Sequence, residues 1–181
     1  MEYNFKHIYF IGIGGISMSA LAEIMMQEGI KVSGSDRNDS HIIKKLQSDG
    51  ATIYINHDSK HINSDIDLIV YTSAISDDNP ELQKARELNL QIMDRAEFLG
   101  FVMKNYKHAI CVSGTHGKTT TTGMLSTILI NTDLNPTIFL GGEMDSLGGN
   151  LLKGSYELLL TEACEYKRNF LKFNPTMEIV L

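Results

Sequence analysis

The residues best suited to chemistry lie in Ser113–Thr122, which reads SGTHGKTTTT between a buried-type strand and a helical pattern. A glycine loop that opens a helix offers backbone N–H groups and the positive end of the helix dipole to a phosphate. Lys118 would bring a cation to the phosphates, and Thr119 would bring a hydroxyl to Mg²⁺. The spacing departs from G-x-x-x-x-G-K-[ST], because Val112 stands five residues before Gly117. The segment predicts a phosphate loop; the alternative is an ordinary strand-to-helix turn.

A second glycine loop, GIGGIS, occupies Gly12–Ser17 after the first apolar strand. Dinucleotide-binding folds carry G-x-G-x-x-G at this point, and Gly12 and Gly14 match while a serine takes the third glycine position. Asp36 ends the second strand 36 − 15 = 21 residues after Gly15, near the ~20 expected of an acid that binds ribose. The pattern predicts a nucleotide diphosphate without distinguishing NAD from others. A tight packing turn with no ligand is the alternative.

The elements that would position these loops alternate between strand and helix, which indicates a parallel α/β sheet. The pattern starts again near Asn105–Lys107, so we expect one domain over 1–105 and another from 106 to 181. The expected strands are KHIYFIGIGG, KVSGSD, ATIYI, DLIVY, Leu90–Met93, HAICVSG, TIFLGG, YELLLTE and MEIVL, and the expected helices are Ile16–Glu28, Ser40–Asp49, Pro80–Leu88, Ala96–Met103 and Thr119–Ile130.

Composition narrows the class of protein. The 181 residues carry 16 Lys and Arg against 22 Asp and Glu, a net charge of −6, which leaves no electrostatic footprint for nucleic acid. No apolar run approaches the ~20 residues of a membrane span, and the start lacks the pattern of a signal peptide. We therefore expect a cytoplasmic protein that does not bind membranes. Cys111 lies in an apolar run and is expected to be a small buried hydrophobe.

Together, two glycine loops in this order resemble those of the Mur ligases of bacterial cell-wall synthesis. The motifs of the first domain indicate the member of that family that adds L-alanine. The resemblance rests on IGIGGISMSALA (Ile11–Ala22), SGSD (Ser33–Asp36), YTSAISDDNPEL (Tyr71–Leu82), RAEFLG (Arg95–Gly100), SGTHGKTTTT (Ser113–Thr122), GGE…GGN (Gly141–Asn150) and TEACE.

The resemblance implies a Rossmann-like first domain that binds the UDP part of UDP-N-acetylmuramate instead of NAD. The glycine loop would hold the diphosphate, and the acid after the second strand and a turn after the fourth would contact the nucleoside. The UDP-sugar residues implied are Gly12, Gly14, Gly15, Ile16, Ser17, Met18, Asp36, Ser73, Ala74 and Ile75.

For the second domain, the resemblance implies the first part of a P-loop-type α/β domain that binds ATP. Lys118 and His116 are the implied catalytic residues, and Thr119 and Glu162 the implied ligands of Mg²⁺. The substrate carboxylate would attack the γ-phosphate to give an acyl phosphate, which the amine of L-alanine then attacks. The implied ATP contacts are Gly114, Thr115, His116, Gly117, Lys118, Thr119 and Thr120.

Two departures from the family's pattern stand out. The segment EACEY places Cys164 where an aspartate is usual. The sequence also stops before the rest of the central domain and the third domain. We therefore expect these 181 residues to bind the UDP-sugar without ligase activity. We also expect that the incomplete second domain can associate with a neighbouring chain.

Three other functions compete with a ligase of peptidoglycan synthesis, cell division and cell shape. An NAD-dependent oxidoreductase would use the first loop but not Lys118 and Thr119. A P-loop kinase or GTPase would leave the first domain unexplained. A non-catalytic nucleotide-binding module is close to what a shortened ligase would be. Outside these motifs, His57 follows the third strand. It could border the nucleotide site, but a solvated loop histidine is the expectation.

Overall fold

The computed structural model describes residues 3–144, 149–163 and 166–181. The chain divides into two compact units, Met1–Arg95 and Ala96–Leu181. The division falls at the start of the helix Arg95–Met103, whereas the junction expected near Asn105–Lys107 follows that helix. Each unit has its own sheet and its own core.

The first unit is an α/β unit around a parallel sheet. The strands lie in the order β3-β2-β1-β4-β5, and every neighbouring pair is parallel. Its elements are β1 (His7–Ile11), α1 (Ile16–Gln27), β2 (Lys31–Asp36), α2 (His41–Ser48), β3 (Thr52–Ile55), a 3-10 turn (Ser59–His61), β4 (Leu68–Tyr71), α3 (Pro80–Glu87) and β5 (Gln91–Asp94).

Burial on both faces explains why β1 is apolar after its first residue, His7. All five of its residues are buried, as expected for a central parallel strand covered by helices. Tyr9 and Ile11 pack with Leu82 and Ala85 of α3. Because side chains alternate across a strand, Ile8 and Phe10 face the other side of the sheet.

The strand order also locates where a ligand can bind. The chain first moves outward from β1 through β2 to β3 and then returns to β4 on the other side of β1. Such a reversal leaves a crevice at the carboxyl ends of the strands, where doubly wound folds bind ligands. The Rossmann-like parallel sheet predicted for this unit is confirmed.

The second unit is built on a mixed sheet of order β10-β6-β9-β7-β8. Its neighbouring strands are parallel except for the antiparallel pair β7 and β8; β8 was not predicted. Val112, Ile138, Leu140 and Leu160 form its core. The elements are α4 (Arg95–Met103), β6 (His108–Ser113), α5 (Lys118–Leu129), β7 (Thr137–Met144), β8 (Gly149–Leu152), β9 (Leu158–Glu162), a 3-10 segment (Tyr166–Lys172) and β10 (Met177–Val180).

None of the described helices combines the length and the apolar character that crossing a bilayer requires.

Candidate functional site

The loop between β6 and α5, predicted to bind phosphate, contains two glycines with positive φ. Gly117 is the N-cap of α5 with φ 82° and ψ −5°, and Gly114 has φ 143°. Residues other than glycine rarely adopt these backbone angles. A Cβ on Gly114 would also lie 2.8 Å from the Cβ of Leu181. Both glycines are therefore required by the backbone.

Three predicted side chains meet around this loop. The Nζ of Lys118 donates to the carbonyl oxygen of Gly114 at 2.5 Å. The hydroxyl of Thr119 donates to Oε2 of Glu162 at 3.1 Å, and Oε1 of Glu162 accepts from the backbone N–H of Gly141 at 3.1 Å. The structure thus brings together Thr119 and Glu162, which the resemblance implied as ligands of one cation.

This donor set fits Mg²⁺. The ion is usually held by one or two protein oxygens, with waters and substrate phosphates completing its shell. A hydroxyl and a carboxylate beside a phosphate loop supply that minimum. Among the described residues, no group of three or more His, Cys, Asp or Glu side chains could hold a metal by itself. A cation here would therefore depend on phosphate oxygens.

The other predicted residues of the loop are open to solvent. Thr115, His116 and Thr120 are exposed, and the first N–H groups of a helix such as α5 have no carbonyl partner within it. Two predicted features lie outside the described residues: positions 145 to 148 of the segment Gly141–Asn150, and Cys164. The replacement of the usual aspartate by Cys164 therefore has no structural account.

In the first unit, the end of β2 shapes the glycine loop. The N–H groups of Gly12 and Ile13 both donate to the carbonyl of Ser35, at 2.8 and 3.1 Å. The N–H of Gly14 donates to Oδ2 of Asp36 at 2.9 Å, and Oδ1 accepts from the N–H of Asn38 at 3.1 Å. Both carboxylate oxygens of Asp36, the acid predicted to contact a nucleoside, therefore accept from backbone N–H groups at the loop and just after β2.

The turn after β4 lies against the same loop. The N–H of Ile75 donates to the carbonyl of Thr72 at 3.0 Å, and a Cβ on Gly12 would lie 2.5 Å from Cγ2 of Thr72. Ser73 and Ala74 are exposed. Met18 differs from the rest of the set, because its side chain is 1% exposed and belongs to the core.

A cavity that sequence reasoning missed opens near these residues. Its volume is about 470 Å³, and it lies where the chain leaves β2 and β3 and enters α3. The sequence could have indicated this cavity only by position, because its lining residues follow β2 or β3 or lie before or at the start of α3. The lining includes Arg37, Asn56, His57, Ser76 and Asp78.

His57 is not the solvated loop histidine that was expected. Its side chain is 8% exposed, and its Nδ1 lies 2.9 Å from Oε2 of Glu81. Glu81 is fully buried. A buried carboxylate is costly unless its oxygens are hydrogen-bonded, which is why the ring is drawn inward.

The two units define a class of protein in which a glycine loop lies at the carboxyl end of the first strand of each α/β sheet. The comparisons with known proteins specify the family. Residues 7–107 match the model of the "Mur ligase family, catalytic domain". The chain belongs to the Mur ligase family.

Several relatives are similar over the whole chain. The UDP-N-acetylmuramate–L-alanine ligases of Clostridium beijerinckii and Clostridium tetani are each 57% identical over 100% of this chain, which covers 40% of their length. The crystal structure of the UDP-N-acetylmuramate–alanine ligase of Thermotoga maritima is 37% identical with a TM-score of 0.89, covering 98% of this chain and 41% of that one.

A ligase whose name gives a different substrate is also similar. The UDP-N-acetylmuramate:L-alanyl-γ-D-glutamyl-meso-diaminopimelate ligase of Neisseria meningitides is 26% identical with a TM-score of 0.87, over 97% of this chain and 60% of that one. The chain thus spans about two fifths of the length of the curated relatives it matches.

Proposed function

We propose that the chain is part of an ATP-dependent ligase that joins L-alanine to the lactyl carboxylate of UDP-N-acetylmuramate, in the cytoplasmic phase of peptidoglycan synthesis. The domain boundary proposed at 105/106 assigns UDP-sugar binding to the first part and ATP binding to the second. The observation that carries the proposal is the pairing of Thr119 with Glu162 beside the phosphate loop. An NAD-dependent oxidoreductase has no use for that pairing.

In the proposed ATP-binding part, the need to offset negative charge explains the roles of the loop residues. A carboxylate and a triphosphate are both anions, and their approach requires positive charge. The ammonium group of Lys118 supplies one such charge at the loop, and His116 lies exposed on the same loop to face the sugar. Thr119 and Glu162 would hold Mg²⁺, which when bound offsets further negative charge between the reacting groups.

The proposed reaction balances in two transfers. A carboxylate oxygen bonds to the γ-phosphorus as the bond to the ADP oxygen breaks, which gives an acyl phosphate. The amine nitrogen of alanine then bonds to the acyl carbon, loses a proton, and inorganic phosphate leaves. The residues proposed for this part are Gly114, Thr115, His116, Gly117, Lys118, Thr119 and Thr120.

In the first part, the nucleoside diphosphate would lie at the carboxyl ends of β1, β2 and β4. The loop Gly12–Ser17 offers backbone N–H groups to the diphosphate, as glycine loops do at helix N-termini. The turn Ser73–Ile75 and Asp36 border the nucleoside end. Met18 contributes through the backbone of α1, since its side chain is buried.

A thermal-shift comparison tests this assignment. We expect UDP-N-acetylmuramate to raise the melting temperature of the 181-residue chain and NAD to leave it nearly unchanged, because a ligand stabilises the state that binds it. Mg-ATP is expected to act weakly. Preferential stabilisation by NAD would replace the ligase with an oxidoreductase.

A non-catalytic nucleotide-binding role is the second candidate for this stretch alone, because it spans 40% of its relatives. We expect no alanine-dependent release of ADP from the purified 181 residues. Measurable release in the presence of all three substrates would contradict this expectation.

A further inference from the structure

A fully buried carboxylate lies beneath the cavity of the first unit. Glu81 is 0% exposed. Its Oε1 accepts from the hydroxyl of Tyr9 at 2.7 Å and from Nδ1 of His61 at 2.9 Å. Its Oε2 accepts from the hydroxyl of Ser35 at 2.5 Å and from Nδ1 of His57 at 2.9 Å. We call these five residues the Glu81 cluster.

The cluster fixes which ring nitrogens carry protons. An ionised carboxylate only accepts hydrogen bonds, so both imidazoles must donate to Glu81 from Nδ1. Tyr9 also remains a donor, because burial and the neighbouring Glu81 raise the pKa of its phenol. With both oxygens accepting twice, the carboxylate receives the set of charge-assisted bonds that burial demands.

The two histidines have different surroundings. The ring of His61 stacks on Tyr54, with centroids 4.1 Å apart and an interplanar angle of 7°. His57 instead lines the cavity of about 470 Å³. Its Nδ1 lies 2.9 Å from both Oε2 of Glu81 and the hydroxyl oxygen of Ser35. Nε2, across the ring, is therefore the polar atom that it can offer to a ligand.

We propose that Glu81 is a positioning residue that holds His57 with Nδ1–H inward, so that Nε2 is presented to the cavity as an acceptor for a donor group of a nucleoside diphosphate. This inference rests on the proposed binding of a UDP-sugar by the first unit. His57 touches the ligand, and Glu81 acts through it. The other members of the Glu81 cluster hold the carboxylate in place.

Paired amide variants of His57 separate ligand contact from structural support. An asparagine amide occupies roughly the place of Nδ1, and a glutamine amide roughly that of Nε2. We expect H57Q to bind UDP within about threefold of the unmodified chain and H57N to lose about tenfold, the equivalent of one hydrogen bond. Calorimetric titration with UDP measures both, below the melting temperature of each variant.

The opposite order, or two unchanged affinities, would overturn the contact. H108N serves as the matched control, because His108 is exposed and lies in the second unit. It is expected to leave UDP affinity unchanged.

A double-mutant cycle tests the positioning role of Glu81. E81Q keeps the size of the side chain but replaces one acceptor oxygen with a donor, so that one imidazole partner must reverse its protonation. We expect E81Q to weaken UDP binding about five- to tenfold in the unmodified chain and by less than about twofold in H57N, because coupled residues are not additive. Additive losses would show that Glu81 does not act through His57.

The tautomer gives a readout that needs no variant. We expect ¹⁵N spectra of the histidine-labelled chain to show His57 with Nδ1 protonated and Nε2 unprotonated, and the Nε2 resonance to move when UDP is added. Protonation of the unmodified chain at Nε2 alone would overturn the inference. If E81Q fails to fold, E81D replaces it, and we expect this variant to keep His57 in the Nδ1–H form because it retains the carboxylate.

Failure of the inference and of the proposed function can be told apart. If the unmodified chain does not bind UDP, the proposed function and this inference both fall. If UDP binds and H57N binds it equally well, only the inference falls.

Discussion

At the residue scale, the chemistry proposed for the second unit depends on two oxygens that the fold brings together. Thr119 begins a helix and Glu162 ends a strand, yet their side-chain oxygens lie 3.1 Å apart. A hydroxyl alone is a weak ligand for a divalent cation, and a lone carboxylate is common on surfaces. We propose that their pairing beside the glycine loop gives the site its preference for a metal–nucleotide complex.

T119V tests that pairing. Removing the hydroxyl takes away one of the two protein oxygens, so we expect the affinity for Mn²⁺–ATP, followed by electron paramagnetic resonance, to fall about tenfold. T127V is the control, because Thr127 lies on the same helix and its hydroxyl donates to the carbonyl of Gly123 at 3.0 Å. Equal losses in both variants would argue against a metal contact at Thr119.

Cys111 provides a test of burial. Burial raises the pKa of the Cys111 thiol to about 12, and the nearby charge of Glu178 adds a smaller contribution. The thiolate is the reactive form, so we expect iodoacetamide at pH 8 to modify Cys111 far more slowly in the folded chain than in urea. Mass spectrometry of a C164S variant follows this one thiol.

The raised pKa of Cys111 also makes the free energy of unfolding depend on pH. The unfolded thiol has a pKa of ~8.5, whereas burial raises the pKa of the folded thiol to about 12. The stability that the buried neutral thiol contributes is complete below the unfolded pKa and is lost as pH rises toward the folded pKa. C111A is therefore expected to lose less stability than the unmodified chain between these values, as measured by urea unfolding. Equal losses would contradict this.

At the element scale, helix caps fix the segments that carry the cavity of the first unit. The side chain of Asn79 accepts from the N–H groups of Glu81 and Leu82 at 2.9 and 3.2 Å, and it is 6% exposed. Ser40 caps α2 with a single bond of 3.3 Å to the N–H of Ile43. The first cap therefore holds Glu81 in register.

Alanine substitution at the two caps should differ in cost. N79A leaves two buried N–H groups unsatisfied, so we expect it to lower the free energy of unfolding by about 2 kcal/mol, the upper end for a cap. S40A is expected to cost about 0.5 kcal/mol. Urea titrations of both variants measure the difference, and a larger loss for S40A would refute the ranking.

At Gly34, β2 leaves no room for a side chain beside β1. A Cβ there would lie 2.5 Å from the carbonyl oxygen of Phe10 and 2.9 Å from Cδ1 of Ile13. We expect G34A to cost about 1–3 kcal/mol by overpacking. G123A is the matched control: the nearest atom to its Cβ is Sδ of Met144 at 4.0 Å, and a helical alanine should stabilise. Thermal unfolding compares the two.

Local patterns in the sequence were enough to predict most of these elements. Ser40 and Pro80 mark helix starts, and the strand KVSGSD coincides with β2. Strand β8 escaped prediction because its pairing with β7 is a tertiary contact that GNLL does not encode locally. The Glu81 cluster escaped for the same reason, since Tyr9 and Glu81 are 72 positions apart.

At the scale of the whole molecule, separate sheets and cores imply separate responses to damage. A destabilising change in one unit should raise hydrogen exchange mainly in that unit, because opening occurs in cooperative local units. We expect G34A to reduce protection in β1 and β2 and to leave β6 and β9 as they are. Mass spectrometry of peptides from both sheets would show this, and equal loss in both sheets would indicate a single cooperative unit.

The bond from Asp36 to the N–H of Gly14 has a consequence for how a ligand is received. The carboxylate holds the N–H of Gly14 in one orientation and so fixes the shape of the glycine loop of the first unit. A diphosphate bound there as proposed would meet a loop that is already ordered. Such preorganisation would lower the entropic cost of binding.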